Sequence, residues 1–258
     1  MKCYLCDRDM AVKWEYNYPD KYQELIGIKK AGRAWHYCNH CELYAQKNEL
    51  TDDDLDKIYK NYRNLDFRGK TVKEEFNRIL EIKDSENDQR IDSVICDLRT
   101  SGNKMLDIGS GLGVFPYGMR ERGFNVTCME LNPDSYEFLM TDLGFNVVIG
   151  EYNKIHSDKY DLITLVHVLE HLRDPIQTLK DIKERNLGAG GSIYIEVPDA
   201  DEFEILDPLH DDFNSTHLFF FTIESLKKVI EKAGLKTYTI RRTHYPERGL
   251  ERIGILCS

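Results

Sequence analysis

A glycine-rich segment flanked by two acidic residues has the composition of a ligand-binding turn. Asp107 begins the pattern Asp-x-Gly-x-Gly-x-Gly, which ends at Gly113 between a predicted strand and a predicted helix. Glycines at such a turn allow the backbone to approach a ligand closely. Glu130 ends the next predicted strand, 23 residues after Asp107, where a carboxylate can accept hydrogen bonds from both hydroxyls of a ribose.

The spacing of the glycines and the charge of the carboxylate restrict which ligands this segment could bind. The glycines follow Gly-x-Gly-x-Gly rather than the Gly-x-Gly-x-x-Gly of dinucleotide-binding turns. A carboxylate that faces the ligand suits a cation better than a pyrophosphate, and S-adenosylmethionine (SAM) carries an ammonium and a sulfonium but no phosphate. The segment therefore favours SAM, with a dinucleotide and a turn without a ligand as the alternatives.

Two pairs of cysteines have the spacing of metal ligands. Cys3 and Cys6 form one Cys-x-x-Cys pair, and Cys38 and Cys41 form the other. In a chain that shows no sign of secretion, paired cysteines indicate metal before disulfide. Two such pairs make a tetrahedral zinc site, and four thiolates leave no open position for chemistry. We therefore expect structural zinc, the alternative being that one pair is incidental and the thiols are free.

Three histidines and a glutamate could supply a base. His167, Glu170 and His171 lie together at the end of a predicted strand, and His217 lies in a later loop. SAM supplies an activated methyl group, so the protein mainly orients an in-line attack, but a hydroxyl nucleophile must also lose its proton. Histidine is the natural base near neutral pH. We expect His171 to be this base and His217 to be the second candidate; the alternative is that Glu170 and His171 only cap and orient the local structure.

Two further runs are less specific. The segment Phe219-Phe220-Phe221 is expected in the core rather than as a substrate platform. A basic stretch near the end of the chain could bind a substrate phosphate, although such a run is more often a solvated strand edge. It consists of Arg241, Arg242, His244 and Arg248.

The elements that must position these residues alternate along the second half of the chain. Predicted strands cover 105–108, 125–130, 145–149, 160–165, 188–197, 235–241 and 252–257, and predicted helices cover 114–122, 134–143, 174–185 and 223–232. This alternation predicts an α/β fold with a doubly wound, mainly parallel, seven-stranded Rossmann-like sheet. The last two strands, joined without a helix, would make one strand antiparallel. Ligands of such sheets bind at the carboxyl ends of the strands, where the candidate residues lie.

Three regions differ in pattern and predict the domain organisation. Residues 1–48 are expected to form a small zinc-binding subdomain. Residues 49–100 have helical periodicity and are expected to form a helical linker or lid. Residues 101–258 carry the alternating pattern and form the main domain.

As a set, these motifs resemble class I SAM-dependent methyltransferases. The resemblance rests on MLDIGSGLGVFPYGMRERGFNVTCMELNP, YDLITLVHVLEHLRDP, GGSIYIEVPD and STHLFFFTIESLKKVIEKAGL. It implies that the methionine end of SAM is held at the glycine turn, the ribose by the acidic residue of the second strand and the adenine just beyond it and after the third strand. The implied cofactor-binding residues are Asp107, Gly109, Ser110, Gly111, Glu130, Leu131, Glu151, Tyr152 and His167, the last lining the methyl-donor pocket.

Two further resemblances concern metal. The run CNHCELY and the helix carrying Tyr59 and Tyr62 resemble the zinc-ribbon leader of a subset that includes enzymes acting on sugars and polysaccharide precursors; Asp7 and Glu42 stand where that leader often has glycine. We expect the ribbon and this helix to form a lid over the substrate. The histidine cluster resembles the Glu-x-x-Glu-His…His metal site of methyltransferases acting on vicinal hydroxyls, with His167 replacing the first Glu. A divalent ion there would lower the pKa of a hydroxyl.

Composition limits the partners. The chain has 258 residues, 41% of them hydrophobic, and a formal net charge of −10, which argues against a broad nucleic-acid surface. No apolar run reaches the roughly 18 residues of a membrane span, and the N-terminal residues do not resemble a signal peptide, so we expect a cytoplasmic protein. We expect an O-methyltransferase for a small polar substrate such as a sugar, sugar nucleotide or surface-polysaccharide precursor. N-methylation of an amine, or an RNA or protein target, are the alternatives, and the oligomeric state is open.

Overall fold

A computed structural model contains two β-sheets, a small one near the N-terminus and a large one. It describes residues 1–29, 32–62, 70–82, 85–150, 152, 158–245 and 250–258. The small sheet consists of β1 (Ala11–Tyr16), β2 (Arg33–Cys38), β3 (Leu43–Lys47) and β9 (Phe219–Phe221). The large sheet consists of β4 (Lys104–Ile108), β5 (Asn125–Glu130), β6 (Asn146–Ile149), β7 (Tyr160–Val166), β8 (Leu187–Pro198), β10 (Thr237–Tyr245) and β11 (Leu250–Cys257).

The large sheet confirms the predicted fold class. Its strand order is β10-β11-β8-β7-β4-β5-β6. Strands β4 to β8 are mutually parallel, whereas β11 is antiparallel to both of its neighbours. The chain crosses the sheet between β6 and β7, so the carboxyl ends of β4, β5 and β7 meet at the edge where the candidate residues lie.

Helices cover both faces of the large sheet. The described residues contain α1 (Lys21–Leu25), α2 (Asp52–Asn61), α3 (Val72–Leu80), α4 (Glu86–Asp97), α5 (Val114–Glu121), α6 (Pro133–Thr141), α7 (Pro175–Arg185) and α8 (Ile223–Lys232). Helices α2, α3, α4 and α8 each begin after a Ser or Thr whose hydroxyl accepts from a backbone N–H of the first turn, which is why they start at these residues. In the described part of the chain, no helix has both the length and the apolarity needed to cross a bilayer.

Helix α4 lies within the region predicted to be a linker or lid, and it packs on the large sheet. Ile91 and Val94 of α4 are buried with Met105 and Met119 in one core cluster. A Cβ on Gly118 would lie 2.2 Å from the Cδ1 of Ile91, so the helices approach too closely for any side chain at this position. This close contact fixes α4 against α5, which carries Gly118 and packs in the same core cluster.

The small sheet joins the N-terminal region to a distant part of the chain. Strand β3 pairs antiparallel with β9, so that Leu43 is opposite Phe221. The sheet is therefore completed by residues far beyond position 48, and the predicted subdomain boundary does not coincide with its edge. Phe219, Phe220 and Phe221 are all buried, as expected from their composition.

Candidate functional site

The glycine turn between β4 and α5 has the backbone conformation that its composition predicts. Gly109 and Gly113 have φ values of 72° and 81°, in the left-handed region that favours glycine. A Cβ on Gly109 would lie 2.6 Å from Cγ2 of Val168, and one on Gly113 would lie 2.6 Å from Cδ2 of Leu139. The turn is thus packed against the end of β7 on one side and against α6 on the other.

The two acidic residues flanking the turn are both buried. Asp107 accepts a hydrogen bond of 2.5 Å from the hydroxyl of Thr164, and burial raises the pKa of Asp107 to about 6. Glu130 is held by backbone donors: one oxygen accepts from the N–H of Gly111 at 2.6 Å, and the other accepts from the N–H groups of Leu131 and Asn132 at 2.7 and 2.8 Å. Both carboxylates thus have fixed orientations beside the glycine turn, and a cationic ligand would offset the cost of their burial.

The remaining residues implied to bind the cofactor are distributed around this turn. The Ser110 hydroxyl donates to the carbonyl of Asp107 at 2.9 Å and so stabilises the turn. Leu131 and Tyr152 are half-buried beyond the ends of β5 and β6. Glu151 lies outside the described residues.

His167 lies among carboxylates. Burial alone would lower its pKa, but hydrogen bonds to Glu170, Glu196 and Glu86 raise the pKa of His167 to about 10. Its Nδ1 is 3.3 Å from Oε1 of Glu170, and its Nε2 is 3.4 Å from Oε1 of Glu196. His167 also has a φ of 54°, in the left-handed region. The geometry makes it a cation at neutral pH, which does not suit a general base.

A buried arginine completes this network. Arg90 of α4 donates from Nε to both oxygens of Glu196 at 2.9 Å, and from one terminal nitrogen to Glu86 at 2.8 Å. The Tyr194 hydroxyl donates to Glu196 at 2.6 Å. Burial would raise the pKa of Glu196, but the charge of Arg90 and the hydrogen bond from His167 lower it well below its usual range. The network therefore connects α4 to the ends of β7 and β8.

His171 and His217 lie together on the far side of Glu170. Their ring centroids are 4.7 Å apart, and the centroid of the Tyr59 ring is 5.8 Å from that of His171. Nδ1 of His171 is 3.0 Å from the carbonyl oxygen of Thr216. Burial lowers the pKa values of both histidines, that of His217 to about 4. Both rings are therefore neutral at physiological pH.

Several buried polar atoms around this pair have no hydrogen-bond partner within the described part of the chain. They are Oε2 of Glu170, Nδ1 of His217 and the hydroxyl oxygen of Tyr59. Potential ligand atoms of Glu170, His171 and His217 lie within 4.8 Å of one another, whereas His167 groups instead with Glu86 and Glu196. Because buried polar atoms are normally satisfied, the unpartnered set indicates a place for a polar ligand.

The four paired cysteines meet in one cluster. Their Sγ atoms all lie within 4.8 Å of one another, and those of Cys6 and Cys38 are 3.7 Å apart. Zinc–sulfur bonds of about 2.3 Å in a tetrahedron imply sulfur–sulfur distances of about 3.8 Å, so the cluster fits zinc. Asp7 and Glu42, which directly follow the second cysteine of each pair, each have a φ of 58°, in the left-handed region that favours glycine.

The basic stretch of β10 is paired with acidic residues. Arg241 donates to Asp97, and Arg242 donates to Asp199 and Asp201. His244 is exposed, and Arg248 lies outside the described residues. These pairs match the expectation of a solvated strand edge and leave the proposed phosphate site without support.

The chain matches a known protein family over most of its length. A family model described as a methyltransferase domain matches residues 65–240, well over half of the chain. The chain belongs to this methyltransferase domain family. The predicted enzyme class, a SAM-dependent methyltransferase, is thereby confirmed, as is the class I fold.

Relatives of this methyltransferase differ in their acceptors. It is 28% identical over 148 residues to the tRNA U34 carboxymethyltransferase of Aliarcobacter butzleri, covering 53% of this chain and 48% of the relative. It is 25% identical over 161 residues to the ubiquinone biosynthesis O-methyltransferase of Aeromonas salmonicida, covering 56% and 67%. The chain thus spans about half the length of the curated tRNA-modifying relatives that it matches.

A solved structure shows the same fold. The 1,6-didemethyltoxoflavin-N1-methyltransferase of Burkholderia thailandensis, with bound 1,6-didemethyltoxoflavin and S-adenosylhomocysteine, superposes with a TM-score of 0.56 at 16% identity. The superposition covers 87% of this chain and 94% of the other. At this identity the likeness concerns the fold of the methyltransferase and not its acceptor.

The charged network around His167 was not predicted from the sequence. Glu196 lies in the buried end of strand β8, between the apolar residues Ile195 and Val197, and it is 1% exposed. An ionised carboxylate in such a strand requires a buried cation, and that requirement was the available signal. Arg90 was harder to find, because its position next to Ile91 on a periodic helix is typical of a solvent-exposed residue.

Proposed function

We propose that this methyltransferase is an O-methyltransferase for a small polar acceptor, a sugar, sugar nucleotide or surface-polysaccharide precursor. One observation carries the choice of oxygen: a neutral histidine, His171, lies next to unpartnered buried polar atoms just beyond the donor turn. His171 comes three residues after Val168, whose side chain packs against Gly109 of the donor turn. A hydroxyl acceptor needs such a base, whereas a neutral amine does not.

The hydrogen bond of His171 selects its tautomer. Because Nδ1 faces the carbonyl oxygen of Thr216 at 3.0 Å, Nδ1 carries the proton and Nε2 has the free lone pair. Burial lowers the pKa of His171 and so keeps this nitrogen available at neutral pH. Nε2 would accept the proton of the acceptor hydroxyl as the oxygen attacks.

Glu170 supports the proposed base electrostatically. Burial would raise its pKa, but the hydrogen bond from the cationic His167 lowers the pKa of Glu170 to about 2, so it is ionised. This carboxylate would stabilise the imidazolium that forms on His171. Nδ1 of His217 and the Tyr59 hydroxyl, without partners among the described atoms, would hydrogen-bond the acceptor and orient it.

The donor side has a simpler role. SAM, when bound, supplies the activated methyl group. Asp107 would bind its ammonium, since burial raises the pKa of this carboxylate and its side-chain hydrogen bond comes from the neutral hydroxyl of Thr164. Glu130 would accept from the ribose hydroxyls, and Leu131 and Tyr152 would pack on the adenine. His167 would line the pocket as a fixed cation.

The test is a panel of sugar nucleotides and phosphorylated metabolites incubated with SAM, with S-adenosylhomocysteine release and product mass as readouts. His171→Ala should lower the rate at least about a hundredfold with unchanged SAM affinity, because general-base catalysis contributes about 10²–10⁴. His244→Ala, which replaces an exposed histidine of β10, is the matched control. A near-wild-type rate in His171→Ala would exclude the base, and N-methylated products would favour an amine acceptor.

A nucleic-acid acceptor is the second candidate, because the chain is similar over 148 residues to a tRNA U34 carboxymethyltransferase. The net charge of −10 opposes it. Tritium transfer from SAM to bulk tRNA, together with tRNA binding that weakens steeply with salt, would support this candidate. Transfer to the small-molecule panel alone would exclude it.

We also propose zinc at the four cysteines and treat a divalent ion at the histidine cluster as the alternative to base catalysis. Glu170, His171 and His217 have the donor types and spacing for such an ion. Elemental analysis of wild type and Cys41→Ser distinguishes the two sites: one zinc per chain that is lost in Cys41→Ser supports the cysteine site alone. A second ion, lost selectively in His217→Gln together with activity, would support the metal-assisted mechanism.

A further inference from the structure

We propose that the cysteine cluster (Cys3, Cys6, Cys38 and Cys41) positions the two halves of the candidate site, because each cysteine turn docks on the element that follows one histidine of the His171–His217 pair. The first turn (residues 3–6) contacts the start of α7, shortly after His171. The second turn (residues 38–41) leads into contacts around β9 and the start of α8, shortly after His217.

The first turn docks through Tyr4. Its hydroxyl donates to a carboxylate oxygen of Asp174, the residue that caps α7, and accepts from the N–H of Ile176 at 3.1 Å. The same oxygen of Asp174 accepts from the N–H of Gln177 at 3.0 Å. Tyr4 therefore completes the cap of α7, three residues beyond His171, and satisfies a donor that helix starts leave free.

The second turn docks through the backbone. The carbonyl of Glu42 accepts from the hydroxyl of Thr222 at 3.1 Å, and Thr222 is the residue that caps α8. Strand β3 then pairs with β9, and the N–H of Gln46 donates to the carbonyl of Leu218 at 2.8 Å. The residue next to His217 is thus held by the strand that starts at the second cysteine turn.

One more pair of contacts joins the two halves. The N–H of Leu218 donates to the carbonyl of Glu170 at 2.8 Å, and the ring of His171 bonds to the carbonyl of Thr216. A short path of hydrogen bonds therefore runs from the second turn through Leu218 to Glu170, and another runs from the first turn to α7. The cysteine cluster joins the two turns directly, and the Tyr4 ring of the first turn also packs on Phe219 of β9, with ring centroids 5.3 Å apart. A metal in the cluster would therefore strengthen the connection through which the two segments meet.

That the two cysteine turns position catalytic groups rests on the proposed roles of His171 and His217. The contacts that the two turns make do not depend on those roles. Tyr4 is accordingly a positioning residue. The donor turn at 105–113 shares none of the contacts described for the two cysteine turns, so it should be insensitive to the cluster. The donor turn therefore serves as an internal control for effects of the cysteine cluster in the same protein.

The test compares zinc content and amide hydrogen exchange of the full chain in wild type, Cys41→Ser, Tyr4→Phe and the control Cys96→Ser, an exposed cysteine outside the cluster. Cys41→Ser should lose zinc and exchange about tenfold faster in the segments 169–177 and 214–222, with 105–113 unchanged. Cys96→Ser should match wild type.

Tyr4→Phe separates the docking contact from the metal and remains informative if Cys41→Ser does not fold. It should keep its zinc, exchange faster in 169–177 and remain protected in 214–222. Histidine ring-nitrogen NMR adds a specific readout: loss of zinc should shift His171 from a pure Nδ1–H form to a mixture of tautomers, which general loosening of the fold elsewhere would not produce.

Three results would overturn the inference. Wild-type protein without zinc would remove its basis, and zinc loss without faster exchange in either segment would show that the cluster does not position them. Unchanged exchange of 169–177 in Tyr4→Phe would refute the role of Tyr4. None of these readouts needs an acceptor, so a failed acceptor panel leaves this inference standing and refutes only the proposed substrate class.

Discussion

Replacing Glu130 by glutamine should weaken SAM binding without unfolding the protein. The carboxylate accepts three backbone N–H groups, from Gly111 on one oxygen and from Leu131 and Asn132 on the other. A glutamine amide has only one oxygen. It can keep the two donors of the β5 exit, but its nitrogen would then face the N–H of Gly111, donor against donor.

The size of the expected loss of SAM affinity follows from the charge and the acceptor atom that the substitution removes. Hydrogen bonds to a charged acceptor contribute about 1.5–3 kcal/mol, and Glu130→Gln removes the charge and one acceptor atom at the proposed ribose site. A loss of about 2 kcal/mol corresponds to a roughly thirtyfold higher Kd. The free energy of unfolding should also fall by about 1 kcal/mol, because the N–H of Gly111 loses its acceptor.

Titration calorimetry with SAM measures the first effect, and urea unfolding measures the second. Glu137→Gln, an exposed glutamate on the neighbouring helix α6, is the matched control and should bind SAM like wild type. A Kd for Glu130→Gln within twofold of wild type, in a protein that remains folded, would refute the assignment of Glu130 to the ribose.

Three further predictions concern the same region. Arg90→Met should lower the free energy of unfolding by about 3 kcal/mol in urea titrations, because it leaves the buried carboxylate of Glu196 without its main cation; a change below 1 kcal/mol, on the order of a surface substitution, would contradict this. The pKa of His167 is raised from 6.5 to about 10, so its contribution to stability is complete below pH 6.5 and should disappear between pH 6.5 and 10. Unfolding measured across that range should show a decline that His167→Gln flattens; equal slopes would argue against the raised pKa. Gly109→Ala should reduce SAM binding in calorimetry, because its Cβ would meet Val168 at 2.6 Å and φ is 72°; unchanged affinity would show that the turn tolerates a side chain.

Local signals predicted most of the large sheet. Strand β5 and helix α8 lie at the predicted residues 125–130 and 223–232, because apolar periodicity, a hydroxyl cap and a closing glycine act within a few residues. The antiparallel last pair was also predicted, since too few residues separate those strands for a helical crossover. The donor turn followed from the same kind of short-range pattern.

What the sequence could not indicate depends on contacts between distant residues. The three phenylalanines of β9 are too short a run to predict a strand, and their partner Leu43 lies near the other end of the chain. The charge state of His167 depends on Glu196 and Arg90, which come from a strand and a helix on either side of it. A pKa is a property of such surroundings and cannot be read from the residue type alone.

The pairing of β3 with β9 also has a consequence for synthesis on the ribosome. Leu43 leaves the exit tunnel long before Phe221, so one edge of β3 has no strand partner while the residues between them are translated. Open strand edges are where nascent chains mispair. Closing the sheet needs a contact between residues near opposite ends of the chain, which is slow to form. A ribosome stalled before residue 219 would therefore expose a nascent chain whose N-terminal segment is synthesised in full but unable to complete its fold.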